Sequence, residues 1–341
     1  MKNYSTERIR NVALVGHGGA GKTTLAEALL VRAGAVPRAG KVDDGTSLLD
    51  TEPEATKRHM SLSLGMAPFE WKAGDGNTYK VNLLDTPGYL DFESEVDAAL
   101  SVADLVVFVV SAVEGVEVQT ERLWRKAASM SLPRMVFVNK EDKDRADFHA
   151  VLDELRMAFG RGIVPLELPL GEAGSLHGVA DVLSEEAYNY GADGKHRTEP
   201  MPTEIAAEEH ALHDALLEEI VLRDDAQLER YLSGDVLSVA ELERTLAHEV
   251  LGCSKFPVLL GSAITGVGID RLADFICELG PSPADRPTPV TAGDSVVAVP
   301  ADASGRPLAY VFKTIADPYI GQLSVFKMLS GRLAGDRKSV V

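Results

Sequence analysis

The stretch "NVALVGHGGAGKTTLAEALL", residues 11–30, decides the reading of this chain. It runs from an apolar, strand-like segment through a cluster of glycines into a helical pattern over 23–33. Gly16, Gly21, Lys22 and Thr23 fit the pattern G-x-x-x-x-G-K-[ST]. Glycines let the backbone wrap so that successive amides aim at phosphate oxygens, and the positive N-terminal end of the following helix adds to the attraction. Lys22 is placed to neutralise β- and γ-phosphates, and the Thr23 hydroxyl to coordinate Mg²⁺. His17, Gly18, Gly19, Ala20 and Thr24 complete the loop expected to hold the phosphates. The competing reading is a glycine-rich turn with an exposed lysine, and the position between strand and helix counts against it.

Five short apolar runs bounded by Gly, Pro or Asp read as buried strands: 11–15, 79–85, 104–110, 134–139 and 256–261. Helical patterns lie between them at 93–103, 117–131 and 148–159, so strand and helix alternate as in a parallel sheet covered on both faces. The expected fold class is α/β, a doubly wound, mostly parallel sheet of the P-loop NTPase kind. Its bounds are 1–158 and 256–284 for the nucleotide-binding domain, interrupted by an inserted α+β subdomain over 159–255. The insertion carries short strand patterns in "GIVPLELPLG" and "HGVADVL", and an amphipathic helix over 203–222. A second helix opens at Ser238 with Glu241 three residues on, a capping box, lines up Leu242, Leu246 and Val250, and is stopped by Gly252. Residues 285–304 read as a linker, proline-rich at its start, and 305–341 as the beginning of a β-barrel that ends too early to close, so a truncated chain is expected.

Three further segments supply what the phosphate loop lacks. "NKED", Asn139 to Asp142, follows a strand and matches N-K-x-D. A carboxylate at Asp142 can accept from N1–H and the exocyclic amine of guanine, whereas adenine would leave it buried and unpaired, a discrimination of ~10⁴ or more. Asn139 would tie this loop to the phosphate loop, and Lys140 would lay its methylene stem along the base. In "DTPGYLDF", residues 85–92, Asp85 is placed to hold a Mg²⁺-bound water and the Gly88 amide to bond a γ-phosphate. The backbone amides of "GSA", Gly261, Ser262 and Ala263, could meet guanine O6. The expected ligands are therefore GTP or GDP and Mg²⁺. An ATP-using protein is the weaker alternative, separable by nucleotide competition.

Composition limits the rest. The formal charge of −18 argues against a broad face gripping a phosphate backbone. No run of about 18 apolar residues could span a bilayer, and "MKNYSTERIR" lacks the apolar middle of a secretory signal, so a soluble, cytoplasmic protein is expected. Cys253 and Cys277 sit in neither a C-x-x-C nor a histidine-rich cluster, which argues against a disulfide framework or a zinc site. Nothing demands an oligomer; a monomer is expected.

With these four motifs in this order, the sequence resembles the translational GTPases, and specifically elongation factor G. The likeness covers nearly the whole chain, through "ADF" (146–148), "PLELPLG", "LERYLSGD", "FPVLLGSA", "LGPSPADRP" and "DPYIGQLSVFKMLSGRL". It implies a GTPase that docks on the ribosome, with the acidic insertion meeting stalk proteins. Three positions depart from the family around the γ-phosphate. The family's "AHIDAGKT" is "GHGGAGKT" here, so Gly19 replaces an aspartate. Its "RGITI" is "RHMSL", and Ser61 stands where a threonine binds Mg²⁺, keeping the hydroxyl but losing the methyl that stiffens its rotamer. Its "DTPGH" is "DTPGY", so Tyr89 replaces the histidine that orients the attacking water. A phenol with a free pKa of about 10 cannot become the cation an imidazole near 6.5 can. The resemblance thus assigns Lys22, Gly88 and Tyr89 to catalysis, and Thr23, Ser61 and, through water, Asp85 to the metal. Hydrolysis is expected to be slow, unless Tyr89 points away and another group orients the water. The alternative function is a GTP-binding regulator or protector of ribosomes that acts by occupancy without hydrolysis.

Overall fold

The computed structural model describes residues 3–171, 173–317 and 321–333. Strand β1 (Ile9–Val15) leads through the glycine loop into α1 (Lys22–Arg32), then α2 (Pro53–Arg58), β2 (Gly65–Lys72) and β3 (Thr78–Asp85). After these come α3 (Glu93–Val102), β4 (Leu105–Ser111), α4 (Val118–Ser129), β5 (Arg134–Asn139), α5 (Phe148–Phe159) and β6 (Ile163–Pro165). The order β2-β3-β1-β4-β5-β11-β6, with β11 (Phe256–Leu260), forms one seven-stranded sheet. Every neighbouring pair in it is parallel except β2 with β3. The α/β, mostly parallel sheet expected from the sequence is the one observed.

Alternate residues of the strands sort to opposite faces, as a pleated strand requires. Val12, Leu14, Val107, Val109 and Phe137 belong to one apolar cluster, together with α1 and with α9 (Ile269–Glu278). Ala13, Val15, Phe108, Val110 and Val138 belong to the other, with α3, α4 and α5. Burial on both faces is why the central strands read as continuous apolar runs. Strand β2 escapes that reading because it is a half-buried edge with Pro68 in it, and only Ala67, Phe69 and their neighbours on β3 mark its inner side.

The segment 166–255 builds a second, antiparallel sheet in the order β10-β9-β8-β7, from β7 (Glu167–Leu170), β8 (Gly178–Asp181), β9 (Glu186–Tyr190) and β10 (His196–Pro200). Helices α6 (Thr203–Val221), α7 (Asp225–Leu232) and α8 (Val239–Leu251) follow. The string "GIVPLELPLG" is divided: β6 pairs with β11 in the large sheet, and β7 pairs with β8 in the small one. The capping box of Ser238 and Glu241 opens α8. Gly252 does not stop that helix by a left-handed turn, since its φ is −71°; the positive φ falls on Cys253, at 57°.

Within the stretch read as a linker, β12 (Thr288–Ala292) and β13 (Ser295–Val299) form a hairpin across Gly293 and Asp294. The two-residue turn needs a positive φ, which Gly293 provides at 62°. Strands β14 (Leu308–Asp317) and β15 (Gly321–Ser330) pair antiparallel, and Lys327 Nζ anchors them to the first domain through the Val102 carbonyl and Asp104 Oδ1, at 2.9 and 2.8 Å. The parts of the expected barrel at 318–320 and 334–341 lie outside the described residues.

Candidate nucleotide site

All four motifs sit beyond the carboxyl ends of the parallel strands, the edge where open α/β sheets collect ligands. The loop 16–21 follows β1, Asp85 ends β3, Asn139 ends β5, and Gly261 follows β11. Between them is a cleft of about 390 Å³ lined by Lys22, Thr23, Ser61, Gly88, Tyr89, Asn139, Lys140, Asp142 and Ala263 among others. Gly18, Gly19, Gly21 and Thr24 line it too, while Gly16, His17, Ala20, Asp85, Gly261 and Ser262 do not, His17 lining the adjoining cleft beside Gly18 and Tyr89. A larger apolar groove lies where β15 meets the sheet, lined by none of the motif residues.

The loop's shape depends on glycine at two positions in particular. A Cβ on Gly16, at φ 147°, would stand 2.3 Å from the Val109 carbonyl oxygen. One on Gly21, at φ 93°, would stand 2.4 Å from Asn139 Nδ2. Lys22 is buried, and its ammonium donates to the carbonyls of Gly16 and His17 at 2.9 and 2.8 Å. Burial lowers its pKa, with Asp85 opposing. Burial first and the Lys22 charge second lower the pKa of His17.

On the metal side, Thr23 Oγ1 donates to Asp85 Oδ2 at 2.6 Å and lies 2.9 Å from Ser61 Oγ. Ser61 Oγ in turn donates to Asp50 Oδ2 at 2.9 Å. Asp85 is buried with Oδ1 unpartnered, and burial raises its pKa. Two hydroxyls and two carboxylates, one with an orphaned oxygen, make a hard-oxygen set that suits Mg²⁺. Asp50 is the member that motif reading missed, since no local pattern surrounds it. Glu27 was missed too: buried on α1, it accepts from Gly40 N, Ser47 Oγ and Leu48 N and pins the loop before Asp50. A glutamate inside the apolar run "LAEALL" is the signal that could have found it.

On the base side, Asn139 bridges two loops: Nδ2 donates to the Ala20 carbonyl at 2.9 Å, and Oδ1 accepts from Ala263 N at 3.0 Å. Asp142 Oδ1 accepts from Ser262 Oγ at 2.6 Å. Lys140, at a positive φ of 68°, reaches Glu114 Oε2 at 3.3 Å. The amides of the "GSA" segment do not point freely toward a base. Gly261 N donates to Val138 O, Ser262 N to Val267 O and Ala263 N to Asn139 Oδ1. What that segment does in this structure is fix Asn139 and Asp142.

Gly88 packs against Lys22: a Cβ on it would meet Lys22 Nζ at 2.5 Å and Gly18 Cα at 2.6 Å. Tyr89 is 47% exposed, yet its ring lies along the phosphate loop, where a Cβ on Gly18 would touch it at 2.9 Å. The side chain therefore borders the cleft rather than turning from it. Gly19 has open space beside it.

The chain matches the family model described as the elongation factor Tu GTP binding domain over residues 7–282. It is 36% identical over 329 residues to an elongation factor G-like protein of Thermotoga maritima, covering 96% of this chain and 46% of that one. It is 33% identical to elongation factor G of Mycoplasma pneumoniae, covering 95% and 47%. A crystal structure of a Thermus thermophilus protein superposes with a TM-score of 0.84 at 39% identity, over 96% of this chain and 46% of that chain. The chain thus spans about half the length of the relatives it matches. Among the described residues no helix is long and apolar enough to cross a membrane. With the family model covering most of its length and the site motifs converging on one cleft, the chain belongs to the elongation factor Tu GTP binding domain family, beside proteins named elongation factor G and elongation factor G-like.

Proposed function

We propose that this chain is the nucleotide-binding portion of an elongation factor G-type translational GTPase, which binds GTP and GDP with Mg²⁺, docks on the ribosome, and hydrolyses GTP slowly. The observation that carries the reading is the Asn139 bridge, which joins the phosphate loop to the segment that fixes the guanine-reading carboxylate of Asp142. Residues 1–158 and 256–284 act as the nucleotide domain, and 159–255 as the insertion, which sends β6 back into the larger sheet. Lys22 and the loop amides hold the phosphates, and Asn139, Lys140 and Asp142 hold the base. Thr23 and Ser61 would hold the Mg²⁺ directly and Asp85 through water; the ion supplies charge neutralisation at the β- and γ-phosphates. Gly88 admits a γ-phosphate beside Lys22, and Tyr89 borders the place from which water must attack.

A second reading, occupancy of the ribosome without turnover, draws on the same residue. Tyr89 offers a neutral donor where a cationic or acid-base group contributes a factor of ~10² to 10⁴. The two readings part in a single-turnover GTP hydrolysis assay, with and without ribosomes, on the chain and on Tyr89→His. Slow ribosome-stimulated turnover in the parent, accelerated in the variant, supports the proposal; no turnover until histidine is introduced supports occupancy. Brisk turnover in the parent, unchanged by histidine, rejects the role given to Tyr89. Nucleotide binding itself is tested by calorimetry with GDP and Mg²⁺, where the absence of heat, or displacement of GDP by equimolar ADP, overturns the guanine site.

A further inference from the structure

A second cluster of ligand-type side chains lies in the insertion, remote in sequence from every nucleotide motif. Glu209 and His213 stand one turn apart on α6 and so share a helix face. Glu185 comes from the turn joining β8 to β9. One ligand atom from each of the three lies within 4.8 Å of the others. The turn is fixed from below: Asp181 Oδ1 accepts from Leu183 N and Ser184 N, both at 2.9 Å.

Two features distinguish this group from an ordinary acidic surface. Glu209 is 2% exposed, and its Oε1 has no hydrogen-bond partner. A carboxylate so buried ordinarily finds one. The carboxylates of Glu209 and Glu185 face each other here, and a cation at this point would offset their repulsion. The second feature is the ring of His213. Its Nδ1 lies 2.7 Å from the Val182 carbonyl, which can only accept, so Nδ1 carries the hydrogen and a neutral ring keeps its lone pair at Nε2. That nitrogen faces Glu185 Oε2 at 4.0 Å. A backbone carbonyl orienting the far nitrogen is the usual outer support of a ligating histidine. His210 Nδ1, 3.3 Å from Glu185 Oε1, steadies Glu185 from the other side.

We propose that Glu185, Glu209 and His213 form a binding site for a divalent transition-metal ion of the Zn²⁺ class, which ties α6 to the β8–β9 turn. The two carboxylate oxygens are hard donors, but the imidazole nitrogen is a borderline one, and its presence in the set favours Zn²⁺ or Co²⁺ over Mg²⁺ or Ca²⁺. Three protein ligands leave a fourth position for water. Contacts of about 2.0–2.2 Å require the three atoms to draw together by about an ångström, which the exposed Glu185 can supply. No cysteine takes part, so the absence of a cysteine pattern says nothing against the site.

The test is a titration of the chain, held in excess GDP and Mg²⁺, with Co²⁺ and then Zn²⁺. One Co²⁺ per chain should bind with the visible absorption of a tetrahedral ion and be displaced by Zn²⁺, and Zn²⁺ should raise the melting temperature. His213→Ala should weaken binding by about 100-fold or more and Glu185→Gln by about 10-fold or more, while His177→Ala should leave it unchanged. Glu185→Gln alters an exposed turn residue and keeps the test decisive if His213→Ala proves unstable. Binding that His213→Ala and Glu185→Gln leave unchanged, or no stoichiometric binding at micromolar Zn²⁺, overturns the proposal.

Discussion

Replacing Asn139 by alanine removes a side chain that joins the phosphate loop to the loop after β11. Asn139 is buried and makes two bonds of ordinary length, 2.9 Å to the Ala20 carbonyl and 3.0 Å from Ala263 N. Each contributes about 1 kcal/mol net, and stranding the two backbone partners adds a similar amount, so the total loss is about 2–4 kcal/mol. Where that loss appears depends on when the bridge forms. If it stands before nucleotide arrives, the cost falls on folding; to the extent that nucleotide re-forms it, the cost falls on affinity. The predicted quantity is therefore a sum: the fall in unfolding free energy by urea titration of the nucleotide-free chain, plus the loss in GDP binding free energy by calorimetry. If all of it fell on binding, Kd would rise about 30- to 1,000-fold. Asn139→Asp should fare no better, because it keeps an acceptor for Ala263 N but sets a carboxylate against the Ala20 carbonyl. A sum below about 1 kcal/mol would refute the view that this bridge builds the site.

Gly88→Ala should lower GTP affinity by at least ~10-fold and GDP affinity less, since the new Cβ would lie 2.5 Å from Lys22 Nζ and 2.7 Å from the backbone nitrogen of Gly18. Equal losses for the two nucleotides, measured by competition, would count against a γ-phosphate beside Gly88. Glu167→Gln should stabilise the protein at mildly alkaline pH. Glu167 is fully buried on β7, with Oε2 accepting from Leu260 N at 3.0 Å and Oε1 unpartnered, and burial pushes its pKa up to about 8 against the pull of Arg271. A carboxyl raised on folding binds more protons in the native state, so its share of stability is fully present below the unfolded value and is lost as pH rises toward the folded one. The melting temperature of the parent should therefore fall between roughly pH 5 and 8, and that of Glu167→Gln should fall less; parallel curves would refute this.

The large sheet was legible because its central strands are buried on both faces, and uninterrupted runs such as Leu105–Ser111 have no other soluble home. Edge and small-sheet strands were less so. Strand β9 alternates weakly, and β10, "HRTEP", is almost entirely exposed, so its identity comes from pairing with β9 and not from its own composition. Helix α7 has no fully buried residue, and its start is marked only by Asp224, whose side chain caps Ala226 N and Gln227 N. In the site, residues carried by contiguous motifs could be named in advance. Asp50 and Glu27 could not, because what makes them matter is a hydroxyl or an amide brought to them from a separate loop. The acceptors that the amides of Gly261, Ser262 and Ala263 find within the chain were illegible for the same reason: they are a property of the assembled loops.

The departures around the γ-phosphate also bear on one another. The ring of Tyr89 can lie on the phosphate loop only because residue 18 has no side chain, since any Cβ there would press on three ring carbons at 2.9–3.2 Å. The related string "AHIDAGKT" has isoleucine at that place, a difference beyond the three named above, and the missing side chain at 18 leaves the room that the Tyr89 ring occupies. Tyr89→His alone would then put a smaller ring beside a vacated strip of backbone, free to take rotamers that a branched neighbour would exclude. On the proposed reading histidine would supply an acid-base group but not its placement, and misplacement of about 1 Å is enough to cost some 10²-fold. Rescue by Tyr89→His should accordingly be partial, and fuller in the pair Gly18→Ile with Tyr89→His, even though Gly18→Ile alone must push the Tyr89 ring off the loop. Equal rates for the single and the paired substitution, in the ribosome-stimulated assay, would show that the two positions act independently.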